Sequence, residues 1–295
     1  MAMRWPEGYR CAAMLSFDVD AESPMPYRYP ETWLEGLGEF EQRTYGPRRG
    51  IPRILDLLRE REVPGTFYIP VYTLRRYPEV GERIVEAGHE IGCHGDIHEL
   101  VDRLPADEEE AILARSIEAI ARVTGAAPAG FRSPSWELHR RSPALLRRHG
   151  LIYDSSLMGD DRPYLVTTPD GPLVEVPPQW LLDDAVYFRT TPPPGIARYL
   201  DHPARVAETW IEEFEGIAAE GGCFVLTMHP WIIGRPGRMA ALRRVIEHLQ
   251  RRDDVWWTTG AGMARHVLDH QEEVGYVLDP AALPRLDGTS GVRGG

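Results

Sequence analysis

The stretch MLSFDVDAES, residues 14–23, runs from an apolar segment straight into two aspartates one residue apart. Side chains two apart on a strand share a face, so Asp18 and Asp20 fall side by side while Val19 points the other way. Two carboxylates held that close repel each other and need a cation or a shared proton to relieve them. The same pattern recurs along the chain. CAAMLSFDV, GTFYIPV, HEIGCH, AGFRSP, LIYDSS, LVEVP, CFVLTMH and DVWWTT read as strands. Between them lie helical patterns such as IPRILDLLRERE, where Ile51, Ile54, Leu55 and Leu58 share one face. ADEEEAILARSIEAIARVTG carries acids in its first turn and a terminating glycine, Gly125.

Strand–helix alternation with helix-length crossovers predicts a parallel sheet covered by helices, with enough units to close into a barrel. SFDVD, GCHGDIH, FRSPSW and LTMHP each pass from apolar residues into aspartate, histidine or arginine. That is the carboxyl end of a strand, where α/β barrels hold their chemistry. With no internal repeat or linker, one domain is expected over residues 1–295. Residues 24–50 are rich in Pro, Gly and aromatics without a period, which predicts a lid or binding loop. Residues 158–195, ending in TTPPPG, read as loop-rich, and the glycine-rich tail from about residue 280 as mobile.

Composition narrows the partners. A formal net charge of −12 argues against nucleic acid. No apolar stretch reaches signal-peptide or membrane-spanning length, so a cytoplasmic protein without membrane contact is expected. Cys11, Cys93 and Cys223 lie far apart and form no CxxC pair, so buried free thiols are expected rather than disulfides or a thiolate zinc site.

HGDIH places His94 and His98 four residues apart, a spacing that on a helix would put both imidazoles on one face of a metal ion. A carboxylate would complete a two-histidine, one-carboxylate set with open positions for water and substrate. Asp18 or Asp20 can supply it, and the cation would relieve their repulsion and acidify a bound water. Zinc is the expected ion, although nickel, cobalt, manganese and iron suit similar donors. Asp20 also fits a plain helix N-cap at the strand end.

SFDVDAE, GTFYIP, GHEIGCHGDIHE, GFRSPSW, YDSSL and VLTMHP, in this order over about residues 10–265, resemble the successive motifs of the polysaccharide deacetylase family. The resemblance implies an α/β fold, a distorted seven-stranded (β/α) barrel, and metal-dependent hydrolysis of a non-peptide amide C–N bond, usually an N-acetyl group on a sugar. By motif, Asp18 matches the catalytic base, and Asp20 the metal ligand together with His94 and His98. Val19 separates the aspartates where the family has neighbours, and two residues on one face suit the division between base and ligand. Arg132 matches the arginine that orients the base, Trp136 an aromatic wall, and His229 the acid that protonates the leaving nitrogen. Leu226 would contact the acyl methyl. The remaining motif is altered to PPQWLLDDAVY, which offers Trp180 and Asp183 to the substrate and leaves Asp184 without a role. Arg235 and Arg238 could meet an anionic group or cap a helix, and His89 reads as structural.

Within the family, FDVDAE, YDSSLM, WLLDDA and HPWIIGRPGR resemble the branch of cyclic-imide hydrolases, allantoinase-like enzymes and a set assigned as peptidoglycan deacetylases. Covering segment and absent leader favour a small, soluble substrate, either an N-acetyl sugar or a cyclic imide or allantoin-type ring, and a homo-oligomer is expected. The remaining alternative is an inactive barrel that binds a metabolite.

Overall fold

The computed structural model describes residues 3–33, 35–189 and 200–284. The PPPG end of the predicted 158–195 loop and most of the predicted mobile tail lie outside these residues.

All eight predicted strands form: β1 (Cys11–Asp18), β2 (Thr66–Ile69), β3 (Glu90–Cys93), β4 (Gly130–Phe131), β5 (Tyr153–Asp154), β7 (Leu173–Glu175), β8 (Cys223–Met228) and β9 (Val255–Trp257). Two short strands join them, β6 (Tyr164–Val166) and β10 (Val277–Leu278). The sheet order is β10-β6-β7-β5-β4-β3-β2-β1-β8, with β9 beside the start of β1. From β7 through to β8 every pairing is parallel, and only β6 runs antiparallel to its neighbour β7. Those seven strands are an incomplete barrel, the distorted form that the motifs imply. Among the described residues β7 and β8 share no ladder. The chain leaving β7 reaches β8 through one isolated parallel bridge, Asp183 to Thr227.

Strand alternation sorts the side chains into two cores. Ala13, Leu15 and Phe17 of β1 and Phe224, Leu226 and Met228 of β8 pack outward, with Ile51, Ile54 and Leu58 of the helix Ile51–Arg61 and Trp210 and Phe214 of the helix Pro203–Glu220. Ala12 and Met14, with Tyr68, Tyr153, Val174 and Val225, fill the inside. Burying a side chain the size of Phe17 or Leu226 contributes about 1.5–3 kcal/mol. Along the inner face of β1 the sequence then changes from Ala12 and Met14 to Ser16 and Asp18. An apolar floor thus gives way to a polar mouth at the carboxyl ends of the strands.

The covering segment is more regular than its composition suggests. It folds into the short helix Pro24–Arg28 and the helix Leu37–Tyr45, which runs through a wider turn, Gly46–Gly50, into Ile51–Arg61. Gly50 sits against the start of the helix Pro230–Ile233, and a Cβ there would overlap the Pro230 carbonyl. Backbone meets backbone at that point, so no rotamer can yield. No helix among the described residues is long and apolar enough to cross a membrane. We expect Gly50→Ala to destabilise the fold by about 1–3 kcal/mol or more, read as a lowered denaturation midpoint at unchanged slope. A midpoint equal to wild type would contradict the close approach.

Candidate active site

The polar mouth is a cavity of about 140 Å³. Asp18, Asp20, His94, His98, Trp136, Trp180, Asp183 and His229 all line it, so the structure brings together residues more than two hundred positions apart in sequence. Most come from the end of a strand or the turn after one, while Trp180 and Asp183 come from the longer segment between β7 and the helix Asp184–Phe188.

The opening puzzle of paired carboxylates resolves into two separate partnerships. Asp18 Oδ1 accepts from Arg132 Nη1 at 3.0 Å. Arg132, fully buried just past β4, spends its other donors on Ser16 Oγ (2.8 Å), the Ser155 carbonyl (2.9 Å) and Ser155 Oγ (2.8 Å). Its guanidinium lies 4.3 Å over the Tyr68 ring. A buried ion pair is costly unless such extra hydrogen bonds satisfy it, and here they do. Burial works against the Arg132 charge, while Asp18 holds it on.

Asp20 faces the histidines instead. Its Oδ1 lies 3.4 Å from His94 Nε2, and its Oδ2 lies 3.7 Å from His98 Nε2. One ligand atom from each of the three residues falls within 4.8 Å of the others. His94 Nδ1 is 2.8 Å from the Arg132 carbonyl, a partner that can only accept. That fixes the proton on Nδ1 and leaves the Nε2 lone pair facing Asp20, the arrangement a metal-binding imidazole requires. Asp20 Oδ1 and His98 Nδ1 are buried without a hydrogen-bond partner among the described residues. Burial would raise the Asp20 carboxyl, but His98, His94 and His229 around it pull it well below the carboxylate range. The His98 ring is pushed down to about 3 by burial. A buried neutral imidazole and a buried ionised carboxylate with an orphaned oxygen fit a divalent cation.

The histidines meet by a different route from the one their spacing suggests. No helix holds them. After β3 the chain turns irregularly, with Gly95 at φ 74° and His98 at φ 63°. A Cβ on Gly95 would crowd the Glu99 carboxylate, which accepts from the Asp96 backbone N–H at 3.0 Å and pins the turn. The loop, not a helical repeat, brings the two rings to 5.2 Å at right angles.

His229 follows β8 and stands across the cavity, its Nε2 3.9 Å from Asp20 Oδ2. Asp184 holds it twice: Oδ1 is 2.7 Å from His229 Nδ1, and Oδ2 accepts the His229 backbone N–H at 3.0 Å. Burial works against a charged His229, yet Asp184 and Asp183 outweigh it and raise the ring to about 10. Asp183, by contrast, caps the helix Asp184–Phe188 by accepting from the Ala185 N–H at 2.6 Å. Burial pushes its carboxyl up to about 7. Asp184, indistinguishable from its neighbour in WLLDDA, is therefore the residue that sequence reasoning missed. Asp183, Asp184 and His229 also cluster closely enough to suggest ligands, but the ion pair already occupies Nδ1 of His229.

Two tryptophans form one wall. Trp136 is buried, and Trp180, 48% exposed, stacks on it with ring centroids 4.3 Å apart. Ser135 and Trp136 both adopt positive φ, 62° and 59°, a costly backbone held by Ser133 N–H donating to Ser156 Oγ at 2.8 Å. Leu226 departs from expectation. It sits on the outward face of β8 in the helix-side core, because the inward positions of that strand are Cys223, Val225 and Thr227. Arg235 stacks 3.7 Å from the Tyr45 ring, Arg238 donates to the Ile232 carbonyl at 3.0 Å, and neither lines the cavity. His89 is structural as expected, accepting from the Gly65 N–H.

A model of the polysaccharide deacetylase family matches residues 44–153. The chain is 32% identical over 261 residues to the peptidoglycan deacetylase of Helicobacter pylori, across 77% of this chain and 88% of that one. The chain belongs to the polysaccharide deacetylase family, a family of hydrolases. Among solved structures it is similar to a Mycobacterium smegmatis protein provisionally described as a polysaccharide deacetylase, with 41% identity, a TM-score of 0.89 and coverage of 96% and 97% of the two chains. Puue allantoinase shares the fold at 24% identity, with a TM-score of 0.79 over 90% and 92% of the chains.

We expect the protein to take up about one divalent cation per chain, and His98→Ala to weaken that uptake more than about a hundredfold. Equilibrium dialysis against zinc followed by elemental analysis checks it. Equal uptake by both proteins would remove His98 from the ligand set.

Proposed function

We propose that the protein is a metal-dependent hydrolase that cleaves a non-peptide amide C–N bond in a small molecule, either removing an N-acetyl group or opening a small cyclic amide or imide. The observation that carries this reading is the three-part division of the cavity. A buried carboxylate with an orphaned oxygen faces two imidazoles, an arginine-held carboxylate stands on one side, and an aspartate-held imidazole stands on the other. The family and the peptidoglycan deacetylase relative support amide hydrolysis.

Asp20, His94 and His98 would hold the cation, with zinc the ion that two imidazoles and a carboxylate suit best. When bound, it supplies Lewis acidity, lowering the pKa of a water and polarising the carbonyl. The protein's own groups do the rest. Asp18, oriented by Arg132, takes the proton of the attacking water. An amide nitrogen leaves poorly until protonated, and His229, held in its charged form by Asp184, delivers that proton. Stacked Trp136 and Trp180 exclude water on one side, and Pro24, Arg28 and Arg43 of the covering segment close the other. A cavity of about 140 Å³ is well below the volume of about 300 Å³ at which small-molecule sites begin, which favours a small substrate over a polymer groove.

Two measurements test the mechanism. Hydrolysis by the zinc-loaded protein is assayed in parallel on N-acetylglucosamine oligomers and on succinimide, hydantoin and allantoin. Asp18→Asn should lower whichever activity is found by about 10²–10⁴-fold while zinc uptake stays unchanged. Turnover that survives this substitution would make Asp18 something other than the base. Asp184→Asn removes the charge that raises His229, so the alkaline limb of the kcat/KM profile should move to lower pH by at least about one unit. An alkaline limb that stays in place would show that His229 is not the proton donor.

A further inference from the structure

The cavity contains more positive charge than the proposed reaction uses. Besides the residues assigned above, Arg28, Arg43 and Arg189 line it. Arg43 is built in: it is buried, its Nε is 2.6 Å from Glu39 Oε1, its Nη1 reaches the Ala21 carbonyl at 3.3 Å, and its guanidinium lies 4.8 Å over the Trp231 ring. Arg28 and Arg189 have no carboxylate within ion-pair distance among the described residues. Burial lowers the Arg189 pKa, and Arg43 and Arg28 lower it further, against a weaker opposing pull from Glu39 and Asp20. Of the acids lining the same space, Asp18 is committed to Arg132, Asp20 to the histidines, and Asp183 to a helix cap. Arg28 and Arg189, beside an Arg43 already paired with Glu39, line one small space with none of the cavity's own carboxylates within ion-pair distance among the described residues, and are chemically incomplete. An anion supplied by the substrate completes them.

Building on the amide-hydrolase reading, we propose that the substrate is an amide that itself carries a carboxylate, and that Arg28, Arg43 and Arg189 bind this carboxylate while the scissile carbonyl faces Asp20, His94 and His98. The short span of the cavity requires the carboxylate to lie close to the amide along the molecule. Neutral amides lacking it would leave Arg28 and Arg189 unpaired and lose affinity.

Calorimetric titration of the zinc-loaded protein with acetate and with succinate tests the assignment, because succinate adds only a second carboxylate on a two-carbon spacer. Succinate should bind at least about tenfold tighter than acetate, the gain of one charge-assisted contact. Arg189→Gln and Arg28→Gln should each abolish that gain and leave acetate affinity and zinc uptake intact. Succinate binding no tighter than acetate, or a gain that survives both substitutions, overturns the proposal. The same titrations on zinc-free protein separate the two readings. If the metal assignment fails but the arginines act as proposed, succinate still binds there and both arginine variants still lose it.

Discussion

Two carboxylates on one face of one strand, at the end of a buried sheet, cannot both stay ionised without help. The rest of the site follows from how that repulsion is relieved. Asp18 is given a guanidinium, and Asp20 is given two imidazoles. Neither partner is optional, because an unpaired charge at this depth costs several kcal/mol. Arg132 in turn needs Ser16, Ser155 and the face of Tyr68 to satisfy it, so the inner surfaces of β1, β2, β4 and β5 are all drawn into positioning one carboxylate. The His94 ring is fixed by the carbonyl of that same Arg132, which ties both partnerships to a single residue.

The fold was legible because parallel strands buried on both faces read as continuous apolar runs, and all eight such runs became strands. β6 and β10 escaped notice because β6 lies inside a segment whose composition reads as loop and β10 just before the glycine-rich tail. Within the site, residues that follow strands directly could be located from sequence, since the strand end fixes where they emerge. What sequence could not supply was direction. Leu226 lies one residue off the inward register, and a single step on a strand moves a side chain to the opposite face. The turn that joins His94 to His98 is set by a positive φ and by Glu99, features invisible in an i, i+4 spacing. Asp183 and Asp184 are identical in sequence terms, and only the start of a helix decides that the first caps it while the second holds His229.

The covering segment shows the same limit differently. Its composition suggested irregular chain, yet the helix Leu37–Tyr45 brings a buried arginine over the mouth, and Gly50 allows its continuation to lie against the turn that carries His229. Access to the site and placement of its histidine are thus mechanically adjacent. A change in one is transmitted through a backbone contact with no flexible side chain between.

The unladdered gap between β7 and β8 is also a source of variability. A strand inserted elsewhere in this sheet would have to match the register of two neighbours, and a change in length would shift side chains between inside and outside. Among the described residues one bridge spans the gap, and it leaves almost no register to preserve. The segment that crosses it, from Val176 to Asp184, delivers Trp180 and Asp183 to the cavity and Asp184 to His229 behind it. Insertions and deletions there can reshape one wall and retune the histidine partner while the other strands keep their places. An open seam in the barrel therefore lets the site diversify at low structural cost.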